Sequence, residues 1–330
     1  MRLVDFREIV LERTRRQSLI KELQVHAHGH CIHVGKISFA CGWCFAKEDL
    51  FQISFGDECM CRDNCPYCFF ESRSDDQKLP ARHDNLAELF ELAVHFQWKP
   101  IIFSYNSWGD TLLALTGGYR DMFLRAASVT RHIEERHGYR MYKKLYTNGL
   151  LADENTLAFL KNELDITEIR FHLSASKFSE TVYQNMQTAK RMGFIVVVEE
   201  PSLPLHREQL FEMLPRLEAI GVKHLDICEV EITQNNIQRL HALLPDGRMY
   251  RNLAYHLYDE GLAYDLIEEV IRKKYTFSVI DCNSDRERFA RSRRDEGLYL
   301  EDLQDVFADP PDQVGTTQDD GAPSPADGER

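Results

Sequence analysis

Short apolar segments alternate with longer amphipathic segments over most of the chain. Six apolar segments of strand length recur between residues 50 and 230, and most of them precede a segment with helical periodicity. The predicted strands are 50–55, 100–105, 141–149, 168–176, 194–201 and 223–230, and the predicted helices between them are 85–96, 122–136, 155–164, 179–192 and 206–220. Repeated βα units predict an α/β fold with parallel strands. Six units predict a partial (β/α)6 TIM-like barrel rather than a closed barrel of eight units.

Before this repeat, the pattern predicts an N-terminal extension at 1–47. It contains an amphipathic helix from Leu3 to about His26 and then a Cys- and His-rich stretch. The core domain is expected at 48–283, because apolar segments continue beyond the sixth βα unit. These later elements are predicted helices at 237–244 and 264–274 and a predicted strand at 275–282.

The C-terminal part of the chain has a different composition. Residues 284–307 are predicted to form a helical segment, and 308–330 an acidic, disordered tail, because the tail is rich in Pro, Gly and Asp. Of the formal net charge of −13, the stretch from Leu300 to Arg330 supplies −8, with nine acidic residues against one basic residue. The rest of the chain is nearly balanced in charge, and it has no basic stripe of the kind that binds nucleic acid.

The hydropathy of the chain excludes a membrane partner. No apolar run approaches the length of a membrane span, and no run of signal-peptide length follows Met1. A cytoplasmic location is therefore expected. In that reducing compartment, the nine cysteines are more often metal ligands or catalytic groups than disulfides.

Four of the cysteines lie in the segment CMCRDNCPYCFF, residues 59–70, directly after the first predicted strand. Cys61, Cys65 and Cys68 have the spacing C-x-x-x-C-x-x-C. Three thiolates on a short loop can bind three corners of a cubane iron–sulfur cluster and leave the fourth iron open to a substrate or cofactor. Loops after parallel strands form the active face of such a sheet, so this loop is expected on that face.

This spacing, with Tyr67 just before the last cysteine, resembles the signature of the radical S-adenosylmethionine (radical SAM) superfamily. The resemblance covers about residues 48–230. It implies one [4Fe-4S] cluster on the three cysteines and reductive cleavage of S-adenosylmethionine to a 5′-deoxyadenosyl radical. That radical would abstract hydrogen from a small-molecule or peptide substrate in a biosynthetic or modification pathway. It also implies a one-electron donor such as flavodoxin or ferredoxin.

The resemblance extends to residues after the second and third strands. SYNSWGDTLL resembles the family's glycine-glycine-glutamate stretch, with Trp108, Gly109 and Asp110 in its place. By that resemblance, this backbone and acid hold the methionine amino group, although Trp replaces Gly and Asp replaces Glu. YTNG ends the third strand in a form common in the family and places Asn148 at the rim.

Further cofactor contacts are expected from position alone. The fourth strand places Ser174, and less directly His172, where ribose or carboxylate contacts usually lie. Glu199 and Glu200 end the fifth strand, where contacts to adenosine are often made. Tyr67 is expected to flank the adenine.

Two other functions are compatible with parts of the sequence. Cys41-x-x-Cys44, followed after twenty residues by Cys65-x-x-Cys68, also fits a four-thiolate zinc site in a binding module without catalysis. That alternative leaves Cys61 without a role. A glycyl-radical-enzyme activase is the second alternative.

The remaining cysteines are candidates for secondary sites. Cys31, Cys41, Cys44 and Cys59 predict either a second metal site, for zinc or another cluster, or a group of reduced, packed thiols. His26, His28 and His30 alternate, so they would share one face of a strand. Cys228 and Cys282 end the sixth and the last strand. Either can donate a hydrogen atom to a substrate radical or simply fill the core.

Overall fold

The computed structural model describes residues 1–26, 31–46, 50–61, 65–68, 95, 100–251 and 254–282. The strands in these residues are β1 (Arg2–Val4), β2 (Gln24–His26), β3 (Cys31–Val34), β4 (Leu50–Met60), β5 (Ile102–Gly109), β6 (Tyr142–Thr147), β7 (Glu168–Phe171), β8 (Ile195–Pro201), β9 (His224–Cys228), β10 (Val230–Ile232), β11 (Arg248–Arg251), β12 (Tyr255–Leu257) and β13 (Ser278–Cys282).

The helices are α1 (Phe6–Leu19), α2 (Phe39–Ala46), α3 (Thr111–Ala114), α4 (Arg120–His137), α5 (Glu154–Asn162), α6 (Glu180–Arg191), α7 (Arg207–Ile220), α8 (Ile237–Leu243) and α9 (Leu262–Lys273). A π-helical turn, Leu115–Tyr119, joins α3 to α4, and short 3₁₀ turns follow β7 and β8 at Ser174–Ser176 and Pro204–His206. None of the helices in the described ranges is both long and apolar enough to cross a membrane.

The principal sheet has nine strands in the order β2-β3-β13-β9-β8-β7-β6-β5-β4. Every neighbouring pair from β4 to β13 is parallel, whereas β3 pairs with β13, and β2 with β3, in antiparallel fashion. Within the described residues, β2 and β4 each have one partner strand, so the sheet is an open, partial barrel. The predicted α/β class and the six parallel strands of the partial barrel are confirmed, and β13 adds a seventh parallel strand.

The two faces of this sheet differ in chemistry. On the outer face, side chains such as Leu145, Ile169 and Leu225 are fully buried in the main hydrophobic core that the helices cover. On the inner face, charged side chains such as Arg170 and Asp226 are buried and hydrogen-bonded to one another. Parallel sheets are usually apolar on both faces. A buried polar inner face, here called the lumen, therefore indicates that the interior of the curved sheet has a chemical role.

The N-terminal extension contributes to the same sheet and lumen. Helix α2 lies inside the curve of the sheet near the amino-terminal ends of the strands, where Phe39 packs on Tyr142 with ring centroids 5.2 Å apart. The predicted helix from Leu3 to His26 is wrong at both ends, because strand β1 precedes α1 and strand β2 follows it. Pairing of β1 with β11 and of β2 with β3 prevails over the helical periodicity at these ends.

A second sheet, absent from the sequence-based expectations, has the strand order β1-β11-β12-β10. It packs against α1, where buried Arg13 forms an ion pair with Glu229 and Tyr250 donates a hydrogen bond of 2.6 Å to the same carboxylate. The predictions for helix 85–96 (apart from His95), for His28 and His30, and for 284–307 and 308–330 lie outside the described residues.

A buried histidine in β9 gives the fold a testable pH dependence. Burial lowers the pKa of His224 to about 4, and its Nδ1 lies 2.6 Å from Ser278 Oγ. The unfolded chain binds a proton near the ordinary pKa of about 6.5, so stability present above that pH is lost as the pH falls toward 4. The loss attributable to His224 is about 3 kcal/mol. Urea titrations at pH 7 and pH 4 give the loss of unfolding free energy between these two pH values. That loss should be about 3 kcal/mol smaller in His224→Gln than in the wild type. An equal loss in both proteins would contradict this role of His224.

Candidate active site

The cysteine loop begins at the end of β4, beside the end of β5. Strand β4 is longer than the predicted 50–55 and continues to Met60, with a register irregularity after Phe55. Met60 pairs with Gly109, so Cys61 follows directly beside the Gly109–Asp110 turn. Cys59 accordingly lies in β4 rather than in the loop.

The loop ends on the other side of the lumen. Its last residues form a turn in which Cys68 N–H donates to the Cys65 carbonyl at 3.1 Å. The Tyr67 carbonyl accepts from Asn236 Nδ2 at 2.9 Å, and the Cys68 carbonyl accepts from Arg239 at the same distance. Asn236 and Arg239 lie at the start of α8, after β10. The described parts of the loop therefore lie on two sides of the lumen, with Cys61 beside the end of β5 and residues 65–68 near β10.

The side chain of Tyr67 links the loop to the turn after β7. Its hydroxyl lies 2.7 Å from Ser174 Oγ, and its side chain packs against the apolar cluster that includes Leu203 and Ile232. Burial, with the nearby Cys65, raises the pKa of the Tyr67 phenol, so it stays protonated at neutral pH. The structure thus brings together two of the predicted cofactor residues, Tyr67 and Ser174.

Glu200 supports Ser174 from within the core. It is fully buried, and its carboxylate accepts hydrogen bonds from the backbone N–H groups of Leu173 and of Ser174, the latter at 3.0 Å. Burial raises the pKa of this carboxyl group. Glu200 therefore lies beneath the Ser174 turn rather than at the open mouth, whereas Glu199 points into the lumen with its side chain 19% exposed.

Asp110 connects the turns after β5 and β6. One of its oxygens accepts from Leu113 N–H at 3.0 Å, and the other accepts from Thr147 Oγ1 at 2.8 Å and from Asn148 N–H at 2.6 Å. The side chain is only 4% exposed, and burial raises its pKa. The structure therefore brings Gly109, Asp110 and Asn148 together, with the Asp110 carboxylate bonded to protein groups.

Arg170 organises the lumen below these turns. Its guanidinium donates to Glu168 at 2.6 Å, to Glu199 at 3.0 Å, and to Asp226. It also donates to Ser38 Oγ at 2.8 Å and to Cys41 Sγ at 3.2 Å, groups contributed by α2 and the residue before it. Sequence reasoning missed this network. The alternation of charged and apolar residues in EIRF was its one signal, because it places Glu168 and Arg170 on the same face.

Cys41 has a hydrogen-bonding role in the same network. Its thiol donates to Asp226 Oδ2 at 3.0 Å, and the residue is 7% exposed. Burial raises the pKa of this thiol, which therefore remains protonated, whereas a metal ligand must be a thiolate.

The other members of the predicted second metal site are placed only by their backbones. Cys31 lies in β3, Cys44 in α2 and Cys59 in β4. Within the part of the chain that the structure describes, no three His, Cys, Asp or Glu side chains form a group able to hold a metal ion. This finding includes the cysteine loop, where the half-buried side chains of Cys61, Cys65 and Cys68 do not form such a group.

The turn after β6 provides a prediction about packing at the mouth. Gly149 has φ = +81°, and a Cβ there would lie 2.6 Å from Val182 Cγ1 and 2.7 Å from Phe171 Cδ1. Gly149→Ala should therefore lower the free energy of unfolding by about 2–4 kcal/mol, through backbone strain and overpacking together. Gly138 is the matched control, because it has φ = +68° but no atom within 4 Å of the place that a Cβ would take. Gly138→Ala should lower it by only about 1 kcal/mol in the same urea titration, and equal losses would refute the packing account.

No protein-family model matches this chain, and no curated protein matches it. Among solved structures, the chain is similar to SuiB of Streptococcus suis bound to precursor peptide SuiA, with TM-score 0.46 and 12% identity over 70% of this chain and 48% of that one. It is also similar to SuiB bound to S-adenosylmethionine, with TM-score 0.41 and 14% identity over 60% and 47% of the two chains. Native anSMEcpe with bound AdoMet gives TM-score 0.41 and 15% identity over 54% and 50%. The chain thus spans about half the length of these proteins.

Proposed function

We propose that this chain is a radical SAM enzyme, with a [4Fe-4S] cluster on Cys61, Cys65 and Cys68 and S-adenosylmethionine at the mouth of the lumen. One observation carries the proposal. The C-x-x-x-C-x-x-C loop leaves the first parallel strand beside Gly109 and reaches Ser174 through Tyr67. The three thiols and the predicted cofactor residues thereby share the carboxyl-terminal edge of the sheet, where α/β proteins bind their ligands.

The donor set fits an iron–sulfur cluster in its chemistry. Thiolates are the ligands that such clusters require, and the three thiols are half-buried, so they are accessible to incoming iron and sulfide. Held by Cys61, Cys65 and Cys68, such a cluster would supply one electron for cleavage of S-adenosylmethionine. The support from this chain consists of the ligand type, the spacing and the position of the loop.

The chain's own residues would hold the cofactor around that loop. The backbone at Gly109 lies beside Cys61 and would face the methionine end of the cofactor. Asp110 would act as a positioning residue, because its carboxylate already fixes the Asn148 backbone. Asn148 and Ser174 would contact the cofactor at the rim, and the Tyr67 ring, fixed by Ser174, would lie near the adenine.

The substrate would bind above the Arg170 network. His172 Nε2 lies 3.9 Å from Glu199 Oε1, and both side chains are partly exposed in the upper lumen. Such polar groups suit a substrate with hydrogen-bonding functions, which includes small molecules and peptides. The S-adenosylmethionine and the precursor peptide named for the matched structures agree with this proposal. A flavodoxin or ferredoxin would supply the electron, and the enzyme would act in the cytoplasm.

The four-cysteine zinc module is the alternative, and the environment of Cys41 disfavours it. That thiol is hydrogen-bonded to Asp226 and Arg170 in the lumen, away from solvent. A zinc site would require Cys41 to leave this network and become a thiolate, at the cost of two hydrogen bonds to charged groups.

Metal analysis separates the two functions. The full chain is purified anaerobically, supplied with iron, sulfide and zinc, and desalted. We expect about four iron and four sulfide per chain, with a brown colour that dithionite bleaches. Zinc retained without iron or sulfide would refute the enzyme and support the zinc module.

A further inference from the structure

Two cysteines lie side by side at the carboxyl-terminal edge of the sheet. Cys228 ends β9 and Cys282 ends β13, and the two residues are direct partners in the parallel register. Paired positions on neighbouring strands share one face of a sheet and have Cα atoms about 4.8 Å apart. That separation lies within the range of about 4.4–6.8 Å that a disulfide spans.

The surroundings of this pair differ from those of the other lumen cysteine. Cys228 and Cys282 are both half-buried, whereas Cys41 is buried and bonded to Asp226. Both residues therefore keep part of their surface open to solvent. The neighbouring Cys282 side chain, together with desolvation and the nearby Glu199, raises the pKa of Cys228. Cys228 is consequently held as a thiol, and its exchange reactions should quicken as the pH rises.

We infer that Cys228 and Cys282 form a redox-active dithiol that exchanges with low-molecular-weight disulfides and closes to an intramolecular disulfide. One thiolate attacks a sulfur of the small disulfide, forms a mixed disulfide and releases one small thiol. The second thiolate then attacks the mixed disulfide, forms the Cys228–Cys282 bond and releases the second small thiol. The two protons that the pair loses pass to the two released thiolates, and the two electrons go to the small disulfide.

Peptide mapping of the full chain tests this inference without any need for cofactor or activity. The protein is treated anaerobically with oxidised glutathione at pH 8, blocked with iodoacetamide and digested with trypsin. Cys228 falls in the peptide 224–239 and Cys282 in the peptide 275–286, each with a single cysteine. We expect these two peptides to be linked, with loss of two alkylatable thiols, and dithiothreitol to restore both.

Single serine variants supply the controls. In Cys228→Ser and in Cys282→Ser the linked pair should vanish, and the remaining cysteine should carry glutathione. In the folded wild type, three outcomes would overturn the inference: glutathione on both cysteines without linkage, alkylation of both, or linkage of either to another cysteine. Cys31 is the nearest such competitor by backbone register, because Ile32 pairs with Asp281.

Discussion

Replacing Cys65 with alanine is expected to abolish iron and sulfide binding and to reduce 5′-deoxyadenosine formation to the level of a protein-free control. Cys65 lies between the other two proposed ligands in the sequence, and removal of one thiolate would leave a cubane cluster with two protein ligands. Its side chain is half-buried, so the variant should keep its fold. Iron, acid-labile sulfide and 5′-deoxyadenosine are measured on the same anaerobic sample.

A matched cysteine variant shows whether the loss is specific. Cys282→Ser removes an equally half-buried thiol from the same edge of the sheet but outside the cysteine loop. It should retain full iron and sulfide content. Equal iron loss in both variants, or full iron in Cys65→Ala, would contradict the assignment of the cluster to this loop.

Replacing Arg170 with methionine is expected to lower the free energy of unfolding by about 3–5 kcal/mol at pH 7. The guanidinium is the common partner of Glu168, Glu199 and Asp226, and all three carboxylates accept from it. Methionine fills a similar space but leaves these carboxylates without their cation. Urea titration monitored by circular dichroism gives the difference directly.

Lowering the pH provides the internal check on this result. Without the guanidinium, the buried carboxylates should be protonated more readily, and protonation removes the unpaired charge. The deficit of Arg170→Met relative to the wild type should therefore shrink between pH 7 and pH 5. A loss below about 1 kcal/mol, or a deficit that grows as the pH falls, would show that Arg170 does not neutralise the lumen.

The strands and helices predicted best from the sequence are those with a clear local pattern of apolar residues. The strands around IIFSY and FIVVVEEP and the helices after them lie close to their predicted positions, because each combines apolar periodicity with clear turn residues. The second sheet could not be predicted in this way. Its strands have three or four residues each, and its pairing joins Arg2 to Arg248, a contact that no local pattern encodes.

In the candidate site, too, local features could be predicted from the sequence and contacts between distant residues could not. The loop and its three cysteines follow from spacing, and their position at the end of β4 follows from the βα repeat. The environment of Cys41 depends on Arg170 and Asp226, which are 129 and 185 residues away in the chain. Spacing alone therefore left Cys41 as one candidate metal ligand and could not indicate its hydrogen bonds to Asp226 and Arg170.

Cleavage of S-adenosylmethionine by the reconstituted wild-type protein tests the central claim most directly. The protein is loaded with iron and sulfide, reduced anaerobically with dithionite and incubated with S-adenosylmethionine, and 5′-deoxyadenosine is quantified by liquid chromatography and mass spectrometry. We expect 5′-deoxyadenosine and methionine to accumulate in equal amounts and only when the reductant is present. Folded protein with a full complement of iron and sulfide that forms neither product would contradict the proposed function.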